Sequence, residues 1–244
     1  MIVLGWGTAV ALALLVALAA VVSQAGHLVP ARAVVIAATR AVSQLAAVSV
    51  VIVAVVRSLP LTAAFVALMF VVATVTAARR MTDDRGGLFA GLSIAAGALP
   101  VLAIVLVSGA VPARGIAIVP VAGIVIGGAM SATSVAGRRA LDELRTRWGE
   151  YEAGLSLGLT TRDAALEICR PSAAQALTPA LDQTRTVGLV TLPGAFVGVL
   201  LGSGDPVQAG VAQLLVLVGL LAAETIAVLV TVELVARRRI RPRS

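Results

Sequence analysis

The chain is 244 residues long, 59% hydrophobic, with a mean hydropathy of +1.04 and a formal net charge of +7. Apolar content so far above the roughly 45–50% of a soluble domain excludes a water-dissolved globule. The arginines lie between and after long apolar runs, as topology signals do, and no basic–aromatic groove for nucleic acid accompanies them. No lysine occurs, so an ordinary P-loop is excluded and any ATP chemistry belongs to another polypeptide. The single cysteine, Cys169, excludes an internal disulfide and a multi-cysteine metal site.

Seven apolar segments can be drawn, at 3–22, 33–56, 61–78, 88–107, 116–135, 186–201 and 207–235, each judged against the roughly 20 residues that cross a hydrocarbon core. The first has no basic stretch before it and no small-residue cleavage site, so it reads as a span and not as a signal peptide. Arg79, Arg80 and Arg85 follow the third segment, and Arg237, Arg238, Arg239, Arg241 and Arg243 follow the last. Both clusters mark the cytoplasmic side, which leaves Arg57 and Arg114 at the external ends and puts the N-terminus outside. His27, in the first cytoplasmic loop, reads as interfacial. Asp205-Pro206, after Gly202-Ser203-Gly204, reads as the cap and first-turn proline of the last helix. The expected fold is an all-α integral membrane protein of about seven transmembrane helices, N-terminus outside and C-terminus cytoplasmic. It forms one transmembrane domain over 1–244, multi-pass in a bacterial inner membrane.

The long polar stretch at 136–185 falls inside by this topology and is patterned as two helices. In the first, Leu141, Leu144, Trp148, Tyr151 and Leu155 share a face. Arg138/Asp142, Arg139/Glu143 and Glu143/Arg147 are spaced as i,i+4 charge pairs on the solvated side. This helix is expected to extend the fifth span. Gly158 permits a turn, Thr160 with Asp163 has the form of a capping box, and Arg170-Pro171 is expected to stop the second, short helix. A rigid element held between two turns suits the transmission of movement; an amphipathic loop on lipid headgroups is the plain alternative.

Within that stretch stand Glu152-Ala153-Gly154, three residues, Gly158, nine residues, then Ile168-Cys169-Arg170-Pro171. This spacing resembles the EAA loop of ABC-transporter permeases, the segment that docks on the ATPase, with Gly154 in place of the second alanine and Arg170 in place of a leucine. Further stretches carry a wider resemblance: Arg40-Ala41-Val42-Ser43-Gln44-Leu45, Val119-Pro120-Val121-Ala122-Gly123 with Ala129-Met130, Leu155-Ser156-Leu157-Gly158, and Thr186-Val187-Gly188-Leu189-Val190-Thr191-Leu192-Pro193-Gly194. From about 40 to 235 the chain resembles the Fet-type ABC permeases, a family that includes a bacterial iron-export permease and a plant aluminium-tolerance half-transporter. The resemblance implies a homodimeric permease, with ATP and Mg held by a separate ABC ATPase subunit, that exports iron or another metal. It also assigns the ATPase contact to Glu152, Ala153, Gly154, Gly158, Ala164, Ala165, Ile168 and Pro171.

Polar residues inside apolar segments are costly and mark substrate paths or buried pairs. Arg40, Ser43, Gln44 and Ala47 share one face of the second segment; Gln213, Glu224 and Thr231 share a face of the last; Asp182 and Arg185 lie one turn apart before the sixth. Glu224 and Asp182 are candidate oxygen donors to a hard cation, with Arg40 as counter-charge. Equally, Arg40 with Glu224 or Asp182 is a candidate buried ion pair. Met130, with Met69 and Met81, is a candidate soft ligand or simply packing. Gly123/Gly127 and Gly194/Gly198/Gly202 form small-residue stripes where backbones can approach, and Pro100, Pro120 and Pro193 are expected to interrupt helices. Two other cargo mechanisms fit the residues: an organic anion or nucleotide sugar facing Arg40, and a proton-driven carrier using Glu224. No HExxH, GxSxG or P-loop signature is present, so an enzyme is not expected.

Overall fold

The computed structural model describes residues 5–241, which divide into two compact units, one running up to Val55 and the other starting at Val56. Ten α-helices run in chain order among the described residues: α1 (Trp6–Ala25), α2 (Ala31–Arg57), α3 (Leu59–Met81), α4 (Ala90–Val107), α5 (Gly115–Thr146), α6 (Trp148–Ser156), α7 (Thr161–Ala174), α8 (Thr178–Thr186), α9 (Gly194–Ser203) and α10 (Pro206–Ala236). Short 3₁₀ turns at Arg85–Phe89 and Gln175–Leu177 lead into α4 and α8. Among the described residues six stretches are long and apolar enough to cross a membrane: α1, α2, α3, Arg85–Val107, α5 and α10. The protein is an all-helical membrane protein.

The first unit holds α1 and nearly all of α2. The Ser23 hydroxyl donates to the Val29 carbonyl at 3.0 Å and Gln24 Oε1 accepts from Ala31 N at 3.0 Å, while His27 turns the chain with φ 52. Helix α2 carries its polar side chains by turning them on its own backbone: Ser43 donates to the Arg40 carbonyl at 3.0 Å and Ser49 to that of Leu45 at 2.8 Å. Leu14, Leu15, Leu45 and Val50 lie exposed, as a lipid-facing surface requires.

The second unit is built on α3, α4, α5 and α10, with alanine as its main packing residue. Ala77, Ala90, Ala122, Ala129, Ala136, Ala140, Ala223 and Ala227 are fully buried. Lipid is as apolar as any side chain, so helices in a membrane gain most from close van der Waals approach, which small residues permit. Gly97 of α4 touches the backbone carbonyl of Ala223 on α10, and Gly137 of α5 faces Met81 and Thr231. Of the two expected glycine stripes, only Gly123 meets a neighbour, with Met69 Cε 2.9 Å from where its Cβ would stand. Gly127, Gly194, Gly198 and Gly202 are open.

One arginine-rich end of this unit gathers the ends of α3, α5 and α10 with α7. Gly86 meets the Arg239 carbonyl, and Cys169 of α7 donates its thiol to the Ala140 carbonyl of α5 at 3.5 Å. After α10 the chain turns through Arg238, at φ 55. The Arg239 N–H bonds the Leu234 carbonyl at 2.9 Å and the Arg238 N–H that of Val235 at 2.8 Å, a Schellman closure that folds Ile240 back until 1% exposed.

Three expectations need correction. The span expected at 186–201 is not one helix. It consists of the end of α8, an exposed apolar turn and the 10-residue α9, which rises only about 15 Å. Gly188, at φ 83, and Pro193 break the helix there, and the Gly188 N–H bonds the Thr191 carbonyl at 2.9 Å so that the turn satisfies itself. Pro171 does not stop its helix: α7 runs on to Ala174, because the proline sits in the last turn and removes a single bond while Ile168, Cys169 and Ala173 stay buried. Likewise α4 and α5 run continuously through Pro100 and Pro120.

Candidate functional site

Two places combine polar chemistry with defined geometry: the α6–α7 module and the buried face of α10. The long helix from the membrane breaks at Arg147, which pairs with Glu143 at 3.9 Å and with Glu150, and α6 then starts afresh. The other two expected pairs are replaced: Arg139 donates to Gln175 and Arg138 Nε to the Ser134 carbonyl. On α6, Trp148 Nε1 donates to Glu152 Oε1 at 2.8 Å, and the Trp148 and Tyr151 rings sit 4.8 Å apart. Tyr151 is 2% exposed because Arg238, after α10, covers it and donates to its hydroxyl at 3.1 Å.

The departure from the EAA pattern at Gly154 has a packing reason: a Cβ there would lie 3.3 Å from Ala164 Cβ, so glycine lets α6 and α7 close on each other. Gly158, at φ 92, makes the reversal. Its N–H bonds the Leu155 carbonyl at 3.0 Å and the Leu159 N–H that of Gly154 at 3.1 Å, a second Schellman closure. Thr160 then caps α7 as the sequence indicates, accepting from the Asp163 N–H at 3.1 Å and donating to its carboxylate at 2.6 Å. At the reversal Leu157 is 86% exposed, with Leu159 and Glu152 also open to solvent. Ala164, Ala165 and Ile168 face the other way, 2–4% exposed against the protein's own core.

Helix α7 is joined to both long helices. Its apolar face and Cys169 lie on α5. Its first turn reaches α10, where Arg162 Nε and Nη2 donate to the two oxygens of Glu233 at 2.6 and 2.8 Å; Arg237 Nε donates to the same carboxylate at 2.6 Å. Burial pushes the Cys169 thiol up to about 12, with the nearby Glu143 charge adding to it. The thiol therefore stays protonated and out of reach. A maleimide should leave Cys169 unmodified in the folded protein and label it once the protein is denatured in SDS; native-state labelling seen by mass shift would contradict this burial.

Along α10, Gln213, Glu224 and Thr231 are buried on one face, as their spacing requires. Gln213 is a cap: its Oε1 accepts from the Phe196 N–H at 3.1 Å, satisfying an otherwise unpaired donor in the first turn of α9. Thr231 donates to the Ala227 carbonyl at 2.6 Å. Glu224 occupies the room left by Gly128 on α5, where a Cβ would lie 2.8 Å from its Oε1. Sequence reasoning missed two further hydroxyls. Ser93 on α4 and Thr133 on α5 are fully buried, and their oxygens have no hydrogen-bond partner. Gly97 faces Ala223 and Ala227, which puts Ser93 one helical turn further toward Thr231. Gly128 and Gly137 bracket Thr133 between the levels of Glu224 and Thr231.

The remaining candidates disperse. Asp182 pairs with Arg185 on the same turn at 3.9 Å, both exposed; Met130 is partly buried against the core; Arg40 and Gln44 are exposed on α2 of the first unit. Among the described residues no three His, Cys, Asp or Glu side chains converge. A cavity of about 610 Å³ between α3, α4 and α5 is lined mostly by apolar groups such as Val66, Phe70, Leu102 and Val121, with Thr62 at its wall.

The model of an uncharacterised protein family, UPF0014, matches residues 6–240. The chain belongs to that family. Similar proteins include the UPF0014 membrane protein STAR2 of Oryza sativa subsp. japonica, 35% identical over 65% of this chain and 56% of the relative. The probable iron export permease protein FetB of Escherichia coli is 32% identical over 60% and 57%, and the UPF0014 membrane protein slr1647 of Synechocystis 30% identical over 70% and 68%. The chain thus spans little more than half the length of several curated relatives it matches. No solved structure matches it.

Proposed function

We infer that this chain is the membrane permease of an ATP-driven exporter, working as a homodimer with a separately encoded ATPase subunit that holds ATP and Mg. The observation that carries the reading is the α6–α7 module. An EAA-like spacing folds as two short helices closed by Gly158, presents Leu157 and Leu159 outward, and rests its inner face on the ends of α5 and α10. The arginines at this end make it the cytoplasmic side of a bacterial inner membrane, with the C-terminus inside. From α7 the chain must reach the far end of α10, and the α8–turn–α9 segment makes that crossing in two pieces; counted with the six long helices it gives seven, with the N-terminus outside.

Iron is the proposed cargo, supported by the similarity to the Escherichia coli protein and by oxygen chemistry spread over about two turns of the bundle: the Glu224 carboxylate and, roughly one turn nearer Thr231, the Ser93 and Thr133 hydroxyls, the donor type hard cations take. Unpartnered buried hydroxyls are rare enough to ask for an occupant. The test is reconstitution of the chain with its ATPase in proteoliposomes. Fe²⁺ should stimulate ATP hydrolysis and enter inverted vesicles, and Glu224→Gln should keep ATPase co-purification and basal hydrolysis while losing the stimulation. Failure to co-purify any ATPase would end the permease reading; equal stimulation of the Glu224→Gln variant would remove Glu224 from the cargo path.

A further inference from the structure

The Arg162–Glu233–Arg237 cluster joins two elements that the chain connects only through α8, the broken crossing and α9. The two contacts α7 makes with the bundle differ in the polar link each carries. Against α5 the contact is largely apolar: Ala165, Ile168, Cys169 and Ala173 lie on a ladder of alanines with one weak thiol hydrogen bond, from Cys169 to the Ala140 carbonyl, a surface with little directionality on which a helix can rock. Against α10 helix packing is joined by a two-pronged fork, one guanidinium prong on each carboxylate oxygen, which fixes direction as well as distance. Glu233 is only partly exposed, and Arg237 grips it from its own helix and holds the carboxylate in place. Helix α10 is unbroken from Pro206 to Ala236, and Glu224 lies nine residues before Glu233, about 13 Å along the rod at 1.5 Å per residue.

We propose that Arg162 and Glu233 form a strut that carries movement of α7 directly to α10, and so to the stretch from Glu224 to Thr231 beside which Ser93 and Thr133 lie. The proposal rests on the permease reading above. In it α7 rocks on its apolar seat against α5 when the ATPase pulls on the Leu157–Leu159 tip. The fork converts that rocking into axial or rotational displacement of α10, while the longer route through α8 and α9 is too interrupted to transmit it. Arg162 and Glu233 are positioning residues here; neither is placed against cargo or ATPase.

The test uses the full chain co-expressed with its ATPase in membranes, with two separate cysteine reporters labelled by a maleimide, the native Cys169 being buried. Ser156→Cys, exposed beside the tip, reports ATPase docking by protection. Val211→Cys, exposed near the far end of α10, reports movement by a labelling rate that changes between nucleotide-free and ATP–vanadate states. Arg162→Glu should leave Ser156→Cys protected and abolish the nucleotide-dependent change at Val211→Cys. Adding Glu233→Arg should restore that change, the largely exposed Arg237 turning to solvent. Protection with an unaltered Val211→Cys response in Arg162→Glu, or a response lost and not recovered by the double reversal, overturns the strut alone. Absence of protection in the parent protein overturns the permease reading and the strut with it.

Discussion

Gly97→Val is expected to lower the stability of the second unit by about 3 kcal/mol and to cut the yield of folded protein sharply, since a side chain there meets backbone and not a movable neighbour. The Ala223 carbonyl lies against Gly97, and Ala227 Cβ would be 3.2 Å from an added Cβ. Neither α4 nor α10 can yield: Ile94, Ala98 and Val101 on one and Ala223, Ala227 and Val228 on the other are buried on both sides of the contact. Separating the helices by even a methyl group would also unseat Ser93 and Glu224 together. Gly127→Ala makes the comparison, because a Cβ at Gly127 meets nothing and alanine favours the helix by roughly 1 kcal/mol. Thermal unfolding followed by fluorescence-detected size exclusion should show the valine variant aggregating at markedly lower temperature and the alanine variant unchanged or improved. Matching curves for the two would mean that α4 and α10 do not approach at Gly97.

Features fixed by neighbours in the chain were legible in the sequence, and features fixed by distant partners were not. The caps at Thr160/Asp163 and Asp205/Pro206 are local hydrogen-bond chemistry and fold as their spacing indicates; Asp205 Oδ1 accepts from Val207 N at 2.8 Å. The Gly158 reversal and the buried face through Gln213, Glu224 and Thr231 follow from φ preference and helical period in the same way. The crossing at 186–201 misled because hydropathy weighs side chains and ignores backbone: Val187, Leu189, Val190 and Leu192 read as a span, while Gly188 and Pro193 decide otherwise. A search for paired glycines within one helix found Gly123/Gly127 and passed over Gly97 and Gly128, each of which meets a segment about a hundred residues away. The apolar face of α7 was visible, but amphipathicity alone does not say what the face meets.

Ala165→Glu is therefore expected to act from inside the module, with a larger effect than any change at its tip. Ala165 is 3% exposed, seated with Ala164, Ile168 and Cys169 on the alanines at the end of α5. The cation in the first turn of α7, Arg162, is already engaged by Glu233 and Asp163. A carboxylate placed in that seat has no partner, and burying it costs about 4 kcal/mol or forces α7 off the bundle. Loss of the seat removes the Cys169–Ala140 contact, so the buried thiol becomes a direct readout: the variant should label with maleimide in its native state, while the membrane helices still insert. Docking should fail because the module is displaced. By contrast Leu157→Glu, at the 86% exposed tip, should leave Cys169 protected and weaken ATPase co-purification alone. The pair separates support from contact. If Ala165→Glu kept Cys169 unreactive yet lost the ATPase, Ala165 would face the partner after all and the placement of α7 against α5 would be wrong.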